Sequence, residues 1–172
     1  MKTRVMIKTA SLDDVAILSG LVRDSYCDVA QRFGLTPENC PRHPSNCTDE
    51  WIRNDFARGV SFYLLEHNGQ PTGCAALERP QPTLGYLERL AVLPSNRHRG
   101  FGRRLVDHVF LQARNAGIHK ISIGIIAAQK ELKNWYQKIG FVKGDTKVFK
   151  HLPFSVTFMM YQLPGKGGID ES

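Results

Sequence analysis

The segment LAVLPSNRHRGFGRRLVDHV, Leu90 to Val109, constrains this chain more than any other. An apolar run stops at Pro94, a loop carries glycines and cations together, and an amphipathic pattern follows. Glycine loses the most freedom on folding, so Gly100 and Gly102 are expensive in a loop that only connects. They make sense where the backbone must approach something closely. A helix N-terminus presents unpaired N–H groups and the positive end of its dipole. Successive N–H groups in such a loop form a nest for an anion, and Arg97, Arg99 and Arg103 can add charge-assisted contacts. The loop has neither the Gly-Lys-Ser/Thr of a P-loop nor the three spaced glycines of a dinucleotide fingerprint. It predicts a phosphate site of a different kind.

The rest of the chain supplies a sheet for this loop. RVMIKT alternates as a strand, and SLDD is a capping box opening a helix from about Asp13 to Ala30. QRFGLTPENCPRHPSNC is rich in turn residues and reads as irregular. Thr48 caps a short helix, DEWIRNDFAR, which Gly59 ends. VSFYLLEH and PTGCAALER flank the hairpin signal NGQ. LGYLERLAVL is the strand ahead of the glycine loop. The helix after it runs to about Gly117, with Leu105, Val109, Ala113 and Ala116 on one face. KISIGIIA is highly apolar and predicts a central strand. KELKNWYQKIG is a helix with Gly140 as its C-cap, and FVKGDTKVFKH and SVTFMMYQL complete the sheet. The order β-α-α-β-β-β-α-β-α-β-β predicts an α/β fold, a mixed sheet with helices on both faces. Residues 1–163 read as a single domain and 164–172 as a flexible tail.

The chain has 172 residues and a formal net charge of +7, which favours anionic partners. The cations concentrate around Arg97–Arg104, which argues for a local anion site and against nucleic acid as a partner. No apolar run approaches the length of a membrane span, and acidic residues arrive too early for a signal peptide. Cytoplasmic residence is the expectation. Cys27, Cys40, Cys47 and Cys74 form no CxxC pair, and NCPRHPSNC offers at most three ligands where zinc needs four. Free thiols and no metal are expected.

The string Val92-x-Pro94, then Arg97-x-x-Gly100-x-Gly102, then a helix, resembles the acetyl-coenzyme A signature of the GNAT superfamily of N-acetyltransferases. Further on, NWYQKIGF resembles that family's second motif, a helix ending in Tyr-x-x-x-Gly-Phe, and the element order matches along nearly the whole chain. The resemblance implies a GNAT fold and acetyl-CoA as co-substrate. The cofactor would be held by Leu90, Ala91, Val92, Arg97, His98, Arg99, Gly100, Phe101, Gly102 and Arg103. The family often has Asn seven residues before the Tyr; this chain has Gln129 there, with Asn134 nearby, and Gln makes the same bonds with one more methylene.

The implied reaction is direct attack of an amine on the thioester carbonyl. In the family a bulge splays the strand ahead of the loop, and a backbone N–H there polarises that carbonyl. Val92 is the matching position. Tyr136 is the candidate general acid for the leaving thiolate, since a phenol stays protonated at neutral pH. Glu88 is the candidate base, placed by a period of two on the same side of the strand as Leu90 and Val92; Glu78 is its weaker rival. Asn39, Cys40, His43 and Asn46, with His151, could line a polar substrate pocket, because a long ordered loop tends to be functional. The reading is an N-acetyltransferase acting on a small primary amine, with a protein or peptide acceptor or a degenerate coenzyme A-binding domain as alternatives. A homodimer is plausible for such an enzyme.

Overall fold

The computed structural model describes residues 3–165. Seven strands form a sheet in the order β1-β2-β3-β4-β5-β7-β6. They are β1 (Val5–Thr9), β2 (Ser61–His67), β3 (Gln70–Gln81), β4 (Leu84–Val92), β5 (Lys120–Ile126), β6 (Val142–Val148) and β7 (Ser155–Gln162). The helices are α1 (Val15–Arg32), α2 (Asp49–Ala57), α3 (Phe101–Asn115) and α4 (Lys130–Ile139). The mixed α/β sheet and the element order agree with those expected. The chain packs as two compact units, Met1–Glu78 with Leu87–Val109, and Arg79–Tyr86 with Phe110–Ser172. Of the tail read at 164–172, residues 166–172 lie outside the described residues.

In the first unit the local chemistry acts where the sequence places it. Ser11 and Asp14 form a reciprocal capping box, but the box closes a single 3-10 turn, Leu12–Asp14, that runs into α1. The Thr48 side chain accepts from the Trp51 N–H and starts α2. Asn68 and Gly69 both take positive φ, 51° and 79°, as the two-residue hairpin between β2 and β3 requires. One face of the β2–β3–β4 sheet packs on α1 and α2 through Leu18, Val22, Ile52, Phe62, Leu64, Cys74, Ala76 and Ala91. Each large aliphatic buried there contributes roughly 1.5–3 kcal/mol of transfer free energy. The side of the sheet that carries Tyr63 meets α3, where the Tyr63 and His108 rings lie 4.9 Å apart.

In the second unit β5 pairs in parallel with the first residues of β4, Leu84↔Lys120 to Tyr86↔Ser122. On its other edge β5 runs antiparallel to β7 along its whole length. β7 therefore sits between β5 and β6, although β6 precedes it in sequence, and β6 becomes the edge. All seven β6 residues are exposed, and Lys143 and Lys147 there protect the edge against further strand pairing. Phe110 stacks on Tyr161 at 4.2 Å, and Phe141 packs beside both. Gly140 closes α4 with φ 123° and sends its N–H to the Tyr136 and Gln137 carbonyls. Any Cβ there would sit 2.8 Å from the Tyr161 ring. The apolar face predicted for α3 needs one correction. Ala116 is exposed in the turn after the helix, and Val106 is buried in its stead.

Candidate active site

The strand ahead of the glycine loop is bulged at one residue. Arg89 has φ +50°, a left-handed conformation costly for any side chain with a Cβ. Its guanidinium Nε donates to Asp55 Oδ2 at 2.7 Å, and Arg58 binds the other oxygen of the same carboxylate at 2.7 Å. Asp55 is 3% exposed, so this two-arginine pairing compensates a carboxylate that could not be buried alone. Arg58 also reaches Glu78 at 2.6 Å. The Glu88 carboxyl lies beside that of Glu78.

The bulge corrects the argument that placed Glu88. Consecutive residues Glu88 and Arg89 both turn toward the α2 network, which is what a bulge does to strand alternation. Val92 lies on the opposite side, next to the Leu105 side chain and the Cα of Gly73. Glu88 and Val92 therefore do not share a face. Burial first, then the neighbouring Glu78 carboxyl, pushes Glu88 up to about 7. Near neutrality this group can both take and release a proton.

Beyond the bulge two carbonyls of β4 that point away from β3 are bonded by side chains. Tyr26 of α1 donates its hydroxyl to the Leu90 oxygen at 2.7 Å. Burial holds that phenol up to about 12, so it remains a donor. Arg97 donates from Nε to the Val92 oxygen at 3.2 Å and from its two terminal nitrogens to Asp28 and to the Ser25 carbonyl. The same guanidinium lowers the Asp28 carboxyl below its usual range. Arg97 was expected to face an anion. Its two terminal nitrogens instead fasten the loop to α1, and its Nε ties it to β4.

The loop itself alternates left-handed residues with others. After a 3-10 turn at Pro94–Asn96, His98 takes φ 63° and Gly100 φ 80°, and α3 begins at Phe101. Alternation of left-handed residues with others turns successive N–H groups inward, and the α3 N-terminus adds its own. A Cβ on Gly100 would meet nothing within 4 Å, so this glycine is required by its φ and not by crowding. His98, Arg99, Arg103 and Arg104 are exposed around it. Arg103 makes an i,i+4 pair with Asp107 at 3.0 Å. Phe101 is 5% exposed with its ring against His67, so only its backbone is available to a ligand. Gly102 lies in the first turn of α3.

The second unit carries the remaining named residues. Tyr136 lies in α4, buried to 5%, with its ring edge-on to Trp135 and Phe141 at 4.9 and 5.1 Å. Gln129 occupies the N-cap position of α4 with no side-chain cap bond. Seven residues separate it from Tyr136, two helical turns, so the two fall on one side of the helix. Asn134 is exposed and only two residues from Tyr136, a spacing that points the side chains apart. His151 is exposed beside the Phe149 ring at 5.8 Å.

The loop between α1 and α2 is tied to itself. Asn39 accepts from the Thr36 N–H and donates to the Gly34 carbonyl, and Asn46 donates to the carbonyl of Cys40. His43 is buried, its Nδ1 is 2.7 Å from the Ser45 hydroxyl, and burial pushes its pKa down. Its ring meets the Tyr26 ring edge-on at 5.9 Å. Cys40 is buried as well, and the four cysteines are free thiols. Among the described residues, no cluster of three or more His, Cys, Asp or Glu could hold a metal ion. No helix among them is long and apolar enough to cross a membrane.

Tyr26, Asp28, Gly73 and Asp55 escape sequence reasoning. Each acts on a partner far away in the chain, although Asp55 also has Arg58 three residues on.

Comparison with known proteins agrees with this geometry. Residues 28–141 match the model of the acetyltransferase (GNAT) family. The chain is 32% identical over 138 residues to an amino-acid acetyltransferase of Neisseria meningitidis, covering 80% of this chain and 27% of that protein. It is 34% identical over 137 residues to an amino-acid acetyltransferase of Ralstonia nicotianae, covering 79% of this chain and 26% of that protein. The chain thus spans about a quarter of the length of the curated relatives it matches. Among solved structures, the ribosomal-protein-S18-alanine N-acetyltransferase of Escherichia coli superposes with a TM-score of 0.76 at 14% identity, over 96% of this chain and 98% of that one. The PaiA N-acetyltransferase of Thermoplasma acidophilum, in complex with coenzyme A, gives 0.75 at 18% identity, over 92% and 99%. The bulged strand, the left-handed loop and the family match over two thirds of the sequence lead to one conclusion: the chain belongs to the GNAT acetyltransferase family.

Proposed function

We propose that this chain is an acetyl-CoA-dependent N-acetyltransferase whose acceptor is the primary amine of a small, amino-acid-like molecule. The observation that carries the reading is the β4–loop–α3 unit, a bulged strand leading into a left-handed nest at a helix N-terminus. That nest and its exposed cations fit a pyrophosphate, with Arg97, His98, Arg99, Gly100, Phe101, Gly102 and Arg103 contributing chiefly through backbone N–H groups. Gln129 takes the place of the usual Asn, and its alignment with Tyr136 along α4 favours it over Asn134. Acetyl-CoA would supply an acyl group already activated as a thioester.

The chain's own residues divide the remaining work. Glu88, poised near neutrality, takes the proton that the acceptor ammonium must lose, directly or through water. The Val92 N–H, beside Leu90 and Ala91, hydrogen-bonds the carbonyl oxygen as charge builds on it. Tyr136 donates its phenolic proton to the departing thiolate sulfur. The loop carrying Asn39, Cys40 and His43, with His151, selects the acceptor. The names of the relatives that match at 32–34% identity favour an amino acid. The reading takes 1–163 as one catalytic domain of a cytoplasmic enzyme and includes a homodimer.

Thermal unfolding with and without acetyl-CoA is the first test. At about one hundred times its dissociation constant a ligand stabilises the native state by about 2.7 kcal/mol, a visible shift in Tm. Free amino acids, small polyamines and an N-terminal peptide are then compared by release of free thiol. Release with amino acids alone supports the proposal. Release only with the peptide replaces the acceptor class, and a Tm shift without release with any amine leaves a coenzyme A-binding domain.

A further inference from the structure

We infer that Tyr26, Arg97 and Gly73 are positioning residues that together aim a single backbone amide, the N–H of Val92. The inference rests on the transferase reading above and asks what gives a backbone donor its direction when no side chain can.

Three successive peptide groups at the end of β4, 90–91 to 92–93, set the geometry. A trans peptide fixes each carbonyl opposite the N–H of the next residue. The 90–91 peptide is held by the Tyr26 hydroxyl, 2.7 Å from the Leu90 oxygen. The 92–93 peptide is held at both ends, by Arg97 Nε at 3.2 Å from the Val92 oxygen and by the Leu93 N–H, which donates to the Thr72 oxygen at 3.0 Å. The peptide between them, 91–92, has its oxygen turned onto Gly73, where a Cβ would lie 2.6 Å from it. Its N–H, that of Val92, must then point the other way, toward the edge of β4 that leaves β3. Only a glycine at position 73 lets the Ala91 oxygen come so close, and a methyl group there would rotate the peptide and swing the Val92 N–H with it.

The clamp also changes what that edge offers. An ordinary strand edge alternates donors and acceptors. Here the two carbonyls on the edge are occupied by strong donors from the protein, so the site favours an acceptor such as a carbonyl oxygen. Preorganised donors of this kind act at no reorganisation cost in the transition state. The Tyr26 ring also packs on His43, so one side chain touches both the strand and the loop before α2.

The decisive variant is Tyr26→Phe, which removes the hydroxyl and keeps the ring on His43. Gly73→Ala is the second, disturbing the same peptide from its other side. Both are compared with the parent chain by thermal melting, by calorimetry with free coenzyme A, by kcat, and by the infrared carbonyl band of bound acetyl-CoA labelled at the carbonyl carbon. The expected result is coenzyme A affinity within about threefold of the parent, kcat lower by about 10- to 100-fold, and a smaller red shift of the carbonyl band. Unchanged kcat and band shift in Tyr26→Phe would overturn the inference and leave the transferase reading standing. A parent chain that binds no acetyl-CoA would overturn both. Should Gly73→Ala fail to fold, Tyr26→Phe alone decides.

Discussion

The two compact units differ in how they obtain their geometry. In the second, β5 is paired along its full length with β7, a register shift falls in the edge pairing between Lys143 and Thr146, and the core is an aromatic cluster around Phe110, Phe141 and Tyr161. The first carries all three described non-glycine residues with positive φ, Asn68, Arg89 and His98. Asn68 closes a hairpin, where that conformation is ordinary. Arg89 and His98 sit in the strand and loop that the family motif singles out. Strain of this kind costs of order 1–3 kcal/mol per residue and persists only where the surroundings enforce it. Asp55 enforces it at Arg89, and Arg97 with Asp28 and Ser25 anchors the segment that leads into His98. Strand pairing holds the second unit, whereas left-handed backbone at Arg89 and His98 is held by side chains brought from elsewhere.

Substitutions in the two units test that difference. The largest effect is expected from Gly100→Glu, which forces a Cβ into φ 80° and adds negative charge to the nest; calorimetry should show acetyl-CoA binding abolished while the fold persists. Unchanged affinity would remove the loop as the anion site. Tyr136→Phe should lower turnover about 100-fold, within the usual range for a lost general acid, while acetyl-CoA affinity stays within a few-fold. Equal turnover would leave the second unit with no chemical role for that phenol.

Ile121→Ala in the regular strand β5 should cost about 2–5 kcal/mol of stability, as cavities at fully buried aliphatics do, and leave kcat per folded molecule unaltered. A fall in kcat there would erase the contrast between the units. The pH dependence of the first unit carries a definite sign. Because Glu88 is raised from 4.5 to about 7, its carboxyl is neutral in the fold at pH values where it is ionised in the unfolded chain. Its stabilising contribution is complete below 4.5 and is lost as pH rises through 7. Activity runs the other way, since only the ionised form accepts a proton: kcat/KM should rise through pH 7 and level off above it. Glu88→Gln should flatten both profiles, and an unchanged rate profile would assign the base elsewhere. The smallest effect is expected from Arg103→Ala, whose exposed pair with Asp107 should be worth under about 1 kcal/mol in a thermal melt.

Much of this molecule is legible in its sequence where the governing interaction is local. The Ser11–Asp14 box, the Thr48 cap, the Asn68-Gly69 turn and Gly140 all act within a few residues of themselves, and each stands where its residue type predicts. The helix face of α3 was one position too long because Ala116 falls past the last turn, and composition does not mark where a helix frays. The glycine loop was legible for the same local reason. The partner of Arg97 was not, because residue type marks it as a cation and not as the partner of Asp28.

The sequence alone specified the order of elements, the strand–loop–helix around Gly100, and the resemblance that the family match over residues 28–141 bears out. The tertiary structure decided the rest. It put β7 between β5 and β6, turned Glu88 toward Glu78 by a bulge at Arg89, and brought Tyr26, Gly73 and Arg97 to three adjacent peptides of one strand. The physical reason is distance along the chain. Periodicity and turn chemistry are written in neighbouring residues, whereas contacts such as Tyr26 to Leu90 and Arg97 to Asp28 join residues dozens of positions apart, and no local pattern encodes them.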